Sequence, residues 1–262
     1  VEAVLDDIIK ELQSSIIAGI YIPSSVRGVQ IPKANGKTRL LGIPTVIDRM
    51  VQQAIIQILS PIFDPHFSDN SYGFRPKRSA SGAISKAKSY VKSGKSWVVD
   101  IDLEAFFDNV NHDILMSMIA RSISDKKLLK LIRSFLNAGM MQNGESSKRD
   151  IGTPQGGPLS PLLSNILLHE LDRELHLRKH SFVRYADDCN IYVSSKPAAQ
   201  RVLISITKFL NGKLKLKVNL TKSAASSVQS RKFLGFTLLA DGSTTIAKAS
   251  ISRFKDKVRL IT

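Results

Sequence analysis

The sequence predicts an α+β fold, because hairpins and helices are mixed in it without regular strand–helix–strand alternation. Two hairpin signals favour this class. One is the pair Asn35-Gly36 between two extended runs, and the other is the pair Asp187-Asp188 between two short apolar strands. Segments with apolar residues at helical spacing separate these strands. We therefore expect antiparallel sheets backed by helices.

The first third of the chain is predicted to hold three helices and one hairpin. Residues 1–20 and 46–58 place apolar side chains at helical spacing, and a third helix is predicted over 83–91. Val26–Pro32 is extended and leads to the Asn35-Gly36 turn. Between the second and third helices, residues 68–79 interleave aromatic and basic side chains without a period.

The middle third contains a strand with a polar face. Trp97–Leu103 alternates, so that Asp100 and Asp102 share one face with Val98 while the other side chains point the opposite way. Two helices are predicted after it, at His112–Arg121 and Asp125–Asn137, followed by two short strands joined by a turn at 142–145. A Gly- and Pro-rich loop at 152–161 then leads into a long helix, whose buried face is a stripe of leucines that extends to Leu175.

The last third is predicted to contain short strands and two helices. Short strands at Phe182–Tyr185 and Asn190–Ser194 enclose the acidic pair, and a helix is predicted at Ala198–Leu210. We predict further strands at Leu214–Asn219 and Arg231–Leu239, then a turn at Asp241-Gly242 and an amphipathic helix over Ser250–Ile261.

Composition narrows the class of partner. The 38 Lys and Arg residues exceed the 22 Asp and Glu residues and give a net charge of +16. This excess predicts salt-dependent attraction to a polyanion, with nucleic acid the first candidate and an acidic membrane surface the second. No apolar run reaches the roughly 20 residues that a membrane span requires. The single cysteine, Cys189, cannot form an internal disulfide and suits a reducing compartment.

Two acidic centres lie far apart in the sequence, each on a β element. Asp102 ends a strand, and Asp187-Asp188 lies in a hairpin turn. Side by side in one sheet, their carboxylates would repel and raise one another's pKa, a cost that divalent cations remove. A pair of Mg²⁺ ions about 3.5–4 Å apart can activate a 3′-hydroxyl and stabilise a leaving pyrophosphate. The alternative for an Asp-Asp pair is ordinary turn chemistry.

Five segments resemble, in the same order, motifs of reverse transcriptases of the group II intron-encoded lineage. They are Gly42-Ile-Pro-Thr-Val-Ile-Asp-Arg49, Tyr72-Gly-Phe-Arg-Pro76, the acidic motif from Asp102 to His112, the loop and helix from Thr153 to Ile166, and Tyr185-Ala-Asp-Asp188. The resemblance implies a right-hand polymerase fold. In it, residues 1–95 would be mainly fingers, 96–248 palm with some finger elements between 112 and 150, and 249–262 the truncated start of a thumb or maturase domain.

The implied activity is RNA-directed DNA polymerisation, in which dNTPs are added to a primer 3′-hydroxyl. The implied partners are an RNA template, a DNA or RNA primer, dNTPs and a structured intron RNA, with no membrane partner. The parent protein would also act as a splicing maturase, in a bacterial cytoplasm or alternatively an organelle. Alternative readings are an intron-RNA-binding maturase module that does not use its polymerase site, or an enzyme of the retron or diversity-generating type. A metal-dependent nuclease would leave the finger and primer motifs unexplained.

The resemblance also assigns the metal ligands. Asp102, Asp187 and Asp188 would hold two Mg²⁺ ions, with Mn²⁺ as a substitute and the Leu103 carbonyl as a further ligand. Asp100 is the rival within the first motif. We prefer Asp102 because the family has an aromatic residue five positions later, where Phe107 stands. Phe107 would then stack under the sugar and exclude a 2′-hydroxyl, and its alternative role is core packing.

Other assignments follow position by position. Arg27, Lys33 and Arg39 would contact the triphosphate, and their alternative is solvated surface charge. A loop closing over 34–38 would set Arg39 opposite Lys33, whereas a two-residue Asn-Gly turn would place Lys37 and Arg39 together. The remaining assignments are nucleotide binding for Gln155 and Lys222, primer support for Phe233, Leu234, Gly235 and Phe236, and template contact for Tyr72, Phe74 and Arg75.

Two departures from the family pattern affect the expected partners. Arg39-Leu-Leu-Gly42 replaces the family's usual Arg-Pro-Leu-Gly in a finger strand. Ile251, Phe254, Val258 and Ile261 form one apolar helical face, which without a thumb is available to another subunit. We therefore include a homodimer among the expected assemblies.

Overall fold

A computed structural model describes residues 2–32, 38–142, 145–147, 150–259 and 261. Its helices and largely antiparallel sheets confirm the predicted α+β class. The helices are α1 Glu2–Ala18, α2 Val46–Phe63, α3 Ala80–Lys92, α4 His112–Ala120, α5 Lys126–Asn137, α6 Leu159–Leu177, α7 Lys196–Phe209 and α8 Lys248–Arg259. The strands are β1 Val26–Pro32, β2 Thr38–Ile43, β3 Trp97–Ile101, β4 Met140–Gln142, β5 Glu145–Ser147, β6 Ser181–Tyr185, β7 Asp188–Val193, β8 Ala224–Ser227, β9 Lys232–Phe233, β10 Phe236–Leu238 and β11 Thr244–Ile246.

The chain divides into two compact units that interleave in sequence. Unit 1 comprises Val1–Pro65 and Ala105–Leu167, and unit 2 comprises His66–Glu104 and Leu168–Thr262. Most predicted helices lie within two or three residues of their predicted ends. The assignment of fingers, palm and thumb start to residue ranges stays a prediction.

Unit 1 contains a four-stranded sheet in the order β2-β1-β4-β5. Strands β1 and β2 are antiparallel, with Arg39 opposite Ile31 and Thr38 opposite Pro32. Neither alternative register is therefore observed, because the pairing is shifted by two positions from one in which Arg39 faces Lys33 and by one position from that of a two-residue Asn-Gly turn. Lys33 and the Asn35-Gly36 turn lie outside the described residues.

Helix α2 of unit 1 is fixed at its start by a buried carboxylate. Asp48 accepts hydrogen bonds from the Tyr21 hydroxyl at 2.7 Å and the Thr45 hydroxyl at 2.6 Å. The Thr45 hydroxyl in turn accepts from the Asp48 backbone N–H, which is an ordinary N-cap. Burial, together with the hydrogen bond and charge of Asp48, raises the pKa of Tyr21. The cap thereby ties the segment before β1 to the helix after β2.

Unit 2 is built on a fully antiparallel sheet in the order β6-β7-β3-β8. One face of this sheet packs on α3 through Ala83, Ala87 and Val91. Val98, Val183 and Tyr192 supply the sheet side of that core. Helix α7 packs on β3 and β8.

Two predictions of a single strand in unit 2 are wrong. The predicted strand Leu214–Asn219 begins at the end of a π-helical turn, Leu210–Leu214, and continues through Lys215 in left-handed backbone to Val218, which forms an isolated bridge with Leu103. The leucine–lysine alternation arises because Leu214, Leu216 and Val218 are buried one after another along this crossing. Arg231–Leu239 is not one strand but the β9–β10 hairpin, which β11 extends to three strands.

The hairpin turn explains that second error. Leu234 and Gly235 both have positive φ, at 49° and 87°, as the favoured two-residue hairpin turns require. The predicted Asp241-Gly242 turn is confirmed, since Gly242 donates to the Leu239 carbonyl and Ser243 to the Asp241 carboxylate. Across the described ranges, no helix is long and apolar enough to cross a membrane.

Candidate active site

The acidic residues meet on one face of the unit 2 sheet. In the β3–β7 ladder Asp100 lies opposite Asn190 and Ile101 opposite Cys189, so the next position sets Asp102 opposite Asp188. Directly opposed residues of antiparallel strands point to the same side, roughly 4.5–5.5 Å apart. The β6–β7 hairpin closes at Tyr185 and Asp188, which leaves Asp187 in the turn.

These carboxylates border an open cleft of about 1350 Å³. Asp100, Asp102 and Asp188 line it on one side. Desolvation by the surrounding protein raises the pKa of Asp188 to about 6, and the charges of Asp187, Asp100 and Asp102 add to the effect. Desolvation also raises the pKa of Asp100, against the lowering effect of Arg231. Negative charge is thus concentrated at the cleft wall.

This concentration fits a divalent cation that completes its coordination with other oxygens. Within the described ranges, no three His, Cys, Asp or Glu side chains are placed to enclose a metal ion by themselves. Mg²⁺ in phosphoryl-transfer sites takes only one or two carboxylates and fills its shell with water and substrate phosphates. Adjacent carboxylates open to a wide cleft provide that arrangement.

The backbone of Asp102 is held from the β8 side of the sheet. The Ser223 hydroxyl accepts from the Asp102 N–H at 2.9 Å, and the Asp102 carbonyl accepts from the Asn219 N–H at 2.9 Å. Leu103 pairs with Val218 in an isolated bridge. The Lys222 ammonium lies 3.4 Å from Asp102 Oδ1, so two of the predicted site residues are in contact.

A buried ion pair that sequence reasoning missed supports the acidic hairpin. Arg184 donates to both carboxylate oxygens of Asp172 at 2.8 and 2.7 Å, and both side chains are 0% exposed. Arg184 also donates at 2.8 Å to the carbonyl of Ala186, which has a positive φ of 56°. The guanidinium therefore holds the turn that carries Asp187. The available signal was a charged residue in the apolar strand Phe182–Tyr185.

The predicted template-contact segment packs against the same hairpin. Tyr72 donates its N–H to the Arg184 carbonyl at 2.9 Å. A Cβ on Gly73 would lie 2.2 Å from the Ala186 nitrogen, so the two backbones touch directly there. Arg75 donates to the carbonyls of Ser68 and Ser71, whereas Phe74 is 54% exposed. Tyr72 and Arg75 thus hold their own loop, and contact with a template stays a prediction for all three.

Three of the four predicted primer-support residues line the same cleft. Leu234 and Gly235 line it together with Phe233 and Lys222. Phe233 is also buried in the core beneath the sheet, whereas Phe236 is partly exposed. One cleft in unit 2 therefore brings together Asp102, Asp188, Lys222 and the β9–β10 hairpin.

The predicted nucleotide-binding residues of unit 1 occupy two places. Arg27 and Arg39 are exposed on one face of the β1–β2 ladder, where the register separates them by four positions, or roughly 13 Å. Phe107 is half-buried and packs edge-on against Phe106 at 5.2 Å. The Phe107 carbonyl accepts from the Thr153 N–H, and the Gln155 carbonyl accepts from the Gly42 N–H.

Comparison with known proteins identifies one family over most of the chain. Residues 31–238 match the family described as reverse transcriptase (RNA-dependent DNA polymerase). Protein YkfC of Escherichia coli K12 is 34% identical over 87% of this chain and 70% of its own length. The group II intron-encoded protein LtrA of Lactococcus lactis subsp. cremoris is 34% identical over 92% of this chain. The chain spans about half of LtrA, at 51%.

A solved structure shows the same fold at low sequence identity. Telomerase from Candida albicans, in a complex with a fragment of telomeric RNA, superposes with a TM-score of 0.67 at 14% identity. The match covers 90% of this chain and 46% of the telomerase chain. The predicted right-hand polymerase fold is confirmed by this likeness.

Proposed function

The chain belongs to the reverse transcriptase family, and from that premise we propose that it copies RNA into DNA by adding dNTPs to a primer 3′-hydroxyl. The observation that carries the proposal is that Asp102 and Asp188, which directly adjoin the last pair of the β3–β7 ladder, line the same cleft. The same cleft is lined by residues of the β9–β10 hairpin, among them Leu234 and Gly235. A polymerase needs this combination, because the carboxylates must lie where a primer end and a triphosphate meet.

Reverse transcriptases generally use divalent metal ions. We propose that two Mg²⁺ ions, or Mn²⁺ in their place, are held by Asp102, Asp187 and Asp188 with the Leu103 carbonyl. When bound, such ions lower the pKa of a primer 3′-hydroxyl and neutralise the charge that develops on the leaving pyrophosphate. Asp102 is the better ligand than Asp100, because Asp100 is engaged with Arg231 at 2.6 Å.

The protein groups around the carboxylates hold them in place. Ser223 and Asn219 fix the Asp102 backbone, and Arg184 fixes the turn of Asp187 and Asp188. Lys222 offers an ammonium at the cleft edge, where it can stabilise a phosphate and donate a proton to it. Such preorganisation matters because a displacement of about 1 Å can cost roughly a hundredfold in rate.

Nucleotide and template roles complete the proposal and rest on the family resemblance. We assign triphosphate contact to Arg27, Lys33 and Arg39, sugar selection to Phe107 and a place in the nucleotide pocket to Gln155. We assign primer support to the segment Phe233–Phe236 and template contact to Tyr72, Phe74 and Arg75. The ligand classes are an RNA template, a DNA or RNA primer and dNTPs, and the net charge of +16 suits these polyanions.

The parent protein is proposed to be an intron-encoded reverse transcriptase that also binds its intron RNA and assists splicing. Support comes from the 34% identity to LtrA, a group II intron-encoded protein. We retain fingers for residues 1–95, palm for 96–248 and the thumb start for 249–262. The exposed apolar face of α8, with Ile251, Phe254 and Val258, is compatible with a homodimer. A bacterial cytoplasm remains the proposed compartment.

Primer extension on an RNA template with dNTPs and Mg²⁺ tests the function. The parent chain and Asp187→Asn are compared, with Asp256→Asn on the exposed face of α8 as the matched control. We expect extension by the parent and the control and loss of at least about 10³-fold in Asp187→Asn. Extension by Asp187→Asn at the parental rate would remove the metal assignment. Absence of extension by a parent chain that binds the primed template would overturn the polymerase proposal.

A further inference from the structure

Arg231 lies where three segments of unit 2 meet at the cleft. Its Nε is 2.8 Å and its Nη2 2.6 Å from Asp100 Oδ2. The same Nη2 donates to the carbonyl of Lys222. Arg231 directly precedes β9, the first strand of the hairpin on the cleft wall. One guanidinium therefore joins β3, the turn that carries Lys222 and the hairpin.

Asp100 is the carboxylate that this contact restrains. It shares a sheet face with Asp102 two positions away, and its side chain is only 20% exposed. A carboxylate in this position could take up a divalent cation and draw it away from Asp102. A charge-assisted hydrogen bond from Nε and the close approach of Nη2 to the same oxygen hold it instead against Arg231, which supplies a full compensating charge.

Lys222 is restrained by the same guanidinium. Its carbonyl accepts from Arg231, and its ammonium lies 3.4 Å from Asp102 Oδ1. The Lys222 N–H is also bonded, to the Asn219 carbonyl at 3.2 Å. The backbone of this turn is thus tied at both polar groups, which limits where the ammonium can reach.

We propose that Arg231 is a positioning residue that keeps Asp100 out of the metal-binding set and fixes Lys222 beside Asp102. This inference rests on the proposed function, which does not itself assign a role to Arg231. A plain structural ion pair would stabilise the fold without affecting how the site takes up metal. The proposal predicts a different result, because an uncompensated Asp100 adds a ligand at the wrong place.

The experiment compares Arg231→Met, Arg231→Lys and the double variant Arg231→Met with Asp100→Asn. The control is Arg173→Met, which breaks the exposed pair of Arg173 with Glu170 at 3.2 Å. Two quantities are measured as the Mg²⁺ concentration is varied. The first is the single-turnover rate of primer extension, and the second is the rise in Tm, which requires no polymerisation.

For Arg231→Met we expect tighter metal uptake with slower chemistry. The Mg²⁺ concentration that gives half the Tm rise should fall about threefold or more, because one more carboxylate faces the cation. The saturating extension rate should fall roughly 10- to 100-fold, because the cation and Lys222 are misplaced. The double variant should return the half-saturating Mg²⁺ concentration to the parental value while keeping most of the rate loss.

Arg231→Lys separates charge from shape. It keeps the positive charge, but one ammonium cannot reproduce the planar fork that contacts Asp100 and Lys222 together. We expect parental Mg²⁺ dependence with a rate about tenfold lower. If Arg231→Met does not fold, this variant and the double variant still decide the question, since neither leaves a buried charge unpaired.

The outcomes separate the two proposals. The positioning role would be overturned if Arg231→Met reached half of its Tm rise at the parental Mg²⁺ concentration. It would also be overturned if the double variant were no closer to the parent in this concentration than the single variant. A parent chain that shows the Mg²⁺-dependent Tm shifts but no extension would leave the positioning role standing and remove the polymerase proposal. Arg173→Met should match the parent in both assays.

Discussion

The two ends of one sheet face in unit 2 differ sharply. At one end, Val98, Val183 and Tyr192 are buried beneath α3 and the β9–β10 hairpin. At the other end, Asp102 and Asp188 border an open cleft. The change occurs within four positions along β3 and β7, with Asp100 and Asn190 between the two ends. This face of the sheet is thus covered where its side chains are apolar and open where its carboxylates line the cleft.

This difference shows how the fold tolerates a site whose carboxylates repel one another. The covered end contributes apolar burial, which offsets the repulsion among carboxylates at the open end. The β9–β10 hairpin belongs to both ends, because Phe233 enters the core while Leu234 and Gly235 line the cleft. Substitutions at the covered end should therefore affect stability, and those at the open end should affect chemistry.

The largest effect is expected at the open end. Asp102→Asn keeps the shape of the side chain but removes the charge that would hold a cation. We expect dNTP incorporation to fall by at least about 10³-fold, with far-UV circular dichroism and Tm close to parental. Single-turnover extension measures the rate. Retention of more than a tenth of the parental rate would contradict the assignment and shift attention to Asp100.

Gly73→Ala should lower both the stability and the rate of primer extension, because Gly73 packs against the turn of the β6–β7 hairpin. The added Cβ would meet the Ala186 nitrogen at 2.2 Å. We expect a loss of about 1–3 kcal/mol in the free energy of unfolding and roughly a hundredfold loss of rate through displacement of Asp187 and Asp188.

Urea denaturation and primer extension measure the two effects of Gly73→Ala. The matched control is Gly212→Ala, whose Cβ would have no atom within 4 Å. Equal behaviour of the two alanine variants would show that the hairpin can move aside without consequence.

At the covered end, Val183→Ala should lower stability and spare chemistry. Val183 is fully buried beneath α3, and removal of its methyl groups leaves a small cavity. We expect a loss of about 2 kcal/mol in the free energy of unfolding, with an extension rate within about twofold of parental well below the Tm. Ile204→Ala, at an exposed position of α7, serves as the control. A large rate loss at full folding would refute the separation of the two ends.

The smallest effect should be a pH-dependent gain. The pKa of Asp188 is raised to about 6 in the folded chain, so ionisation of this group weakens the metal-free fold as the pH rises from about 4 to 6. Asp188→Asn should therefore stabilise the metal-free chain by on the order of 1 kcal/mol at pH 7–8, after allowance for solvent screening. Near pH 3 and below, where the carboxyl is largely protonated in both states, the gain should vanish.

Urea denaturation in EDTA across this pH range measures that gain. Added Mg²⁺ should reduce it, because the cation relieves the repulsion in the parent. A gain that persists at full size at pH 3 would point to another cause.

Local patterns were sufficient for much of this architecture. The helical spacing in 46–58 and the alternation in Trp97–Leu103 each depend on neighbours in sequence, and both elements form as predicted. The shared face of Asp100 and Asp102 follows from the same alternation. The family resemblance then identified Asp187 and Asp188 as their partners, and in the structure Asp102 and Asp188 line one cleft next to the last pair of the β3–β7 ladder.

The features that could not be predicted depend on contacts between distant residues. Arg184 pairs with Asp172 on α6, and Arg231 pairs with Asp100 on β3. Neither pairing is indicated by the residues that neighbour these side chains in the sequence. The β1–β2 register, in which Arg39 faces Ile31, does not follow from the Asn-Gly pair. The division of Arg231–Leu239 into a hairpin depends on positive φ at Leu234, a leucine that has no special turn preference.

The central position of β3 has a consequence for how the chain is made. Both of its sheet neighbours, β7 and β8, are encoded far downstream, and Asp102 finds Ser223 only across 121 residues. During synthesis at roughly 5–20 residues per second, β3 therefore waits several seconds with both edges unpaired. Such distant pairing also slows folding of the finished chain. The acidic cluster cannot assemble before β7 and the Ser223 segment have been made, so a shorter nascent chain has no formed site with which to capture metal or primer.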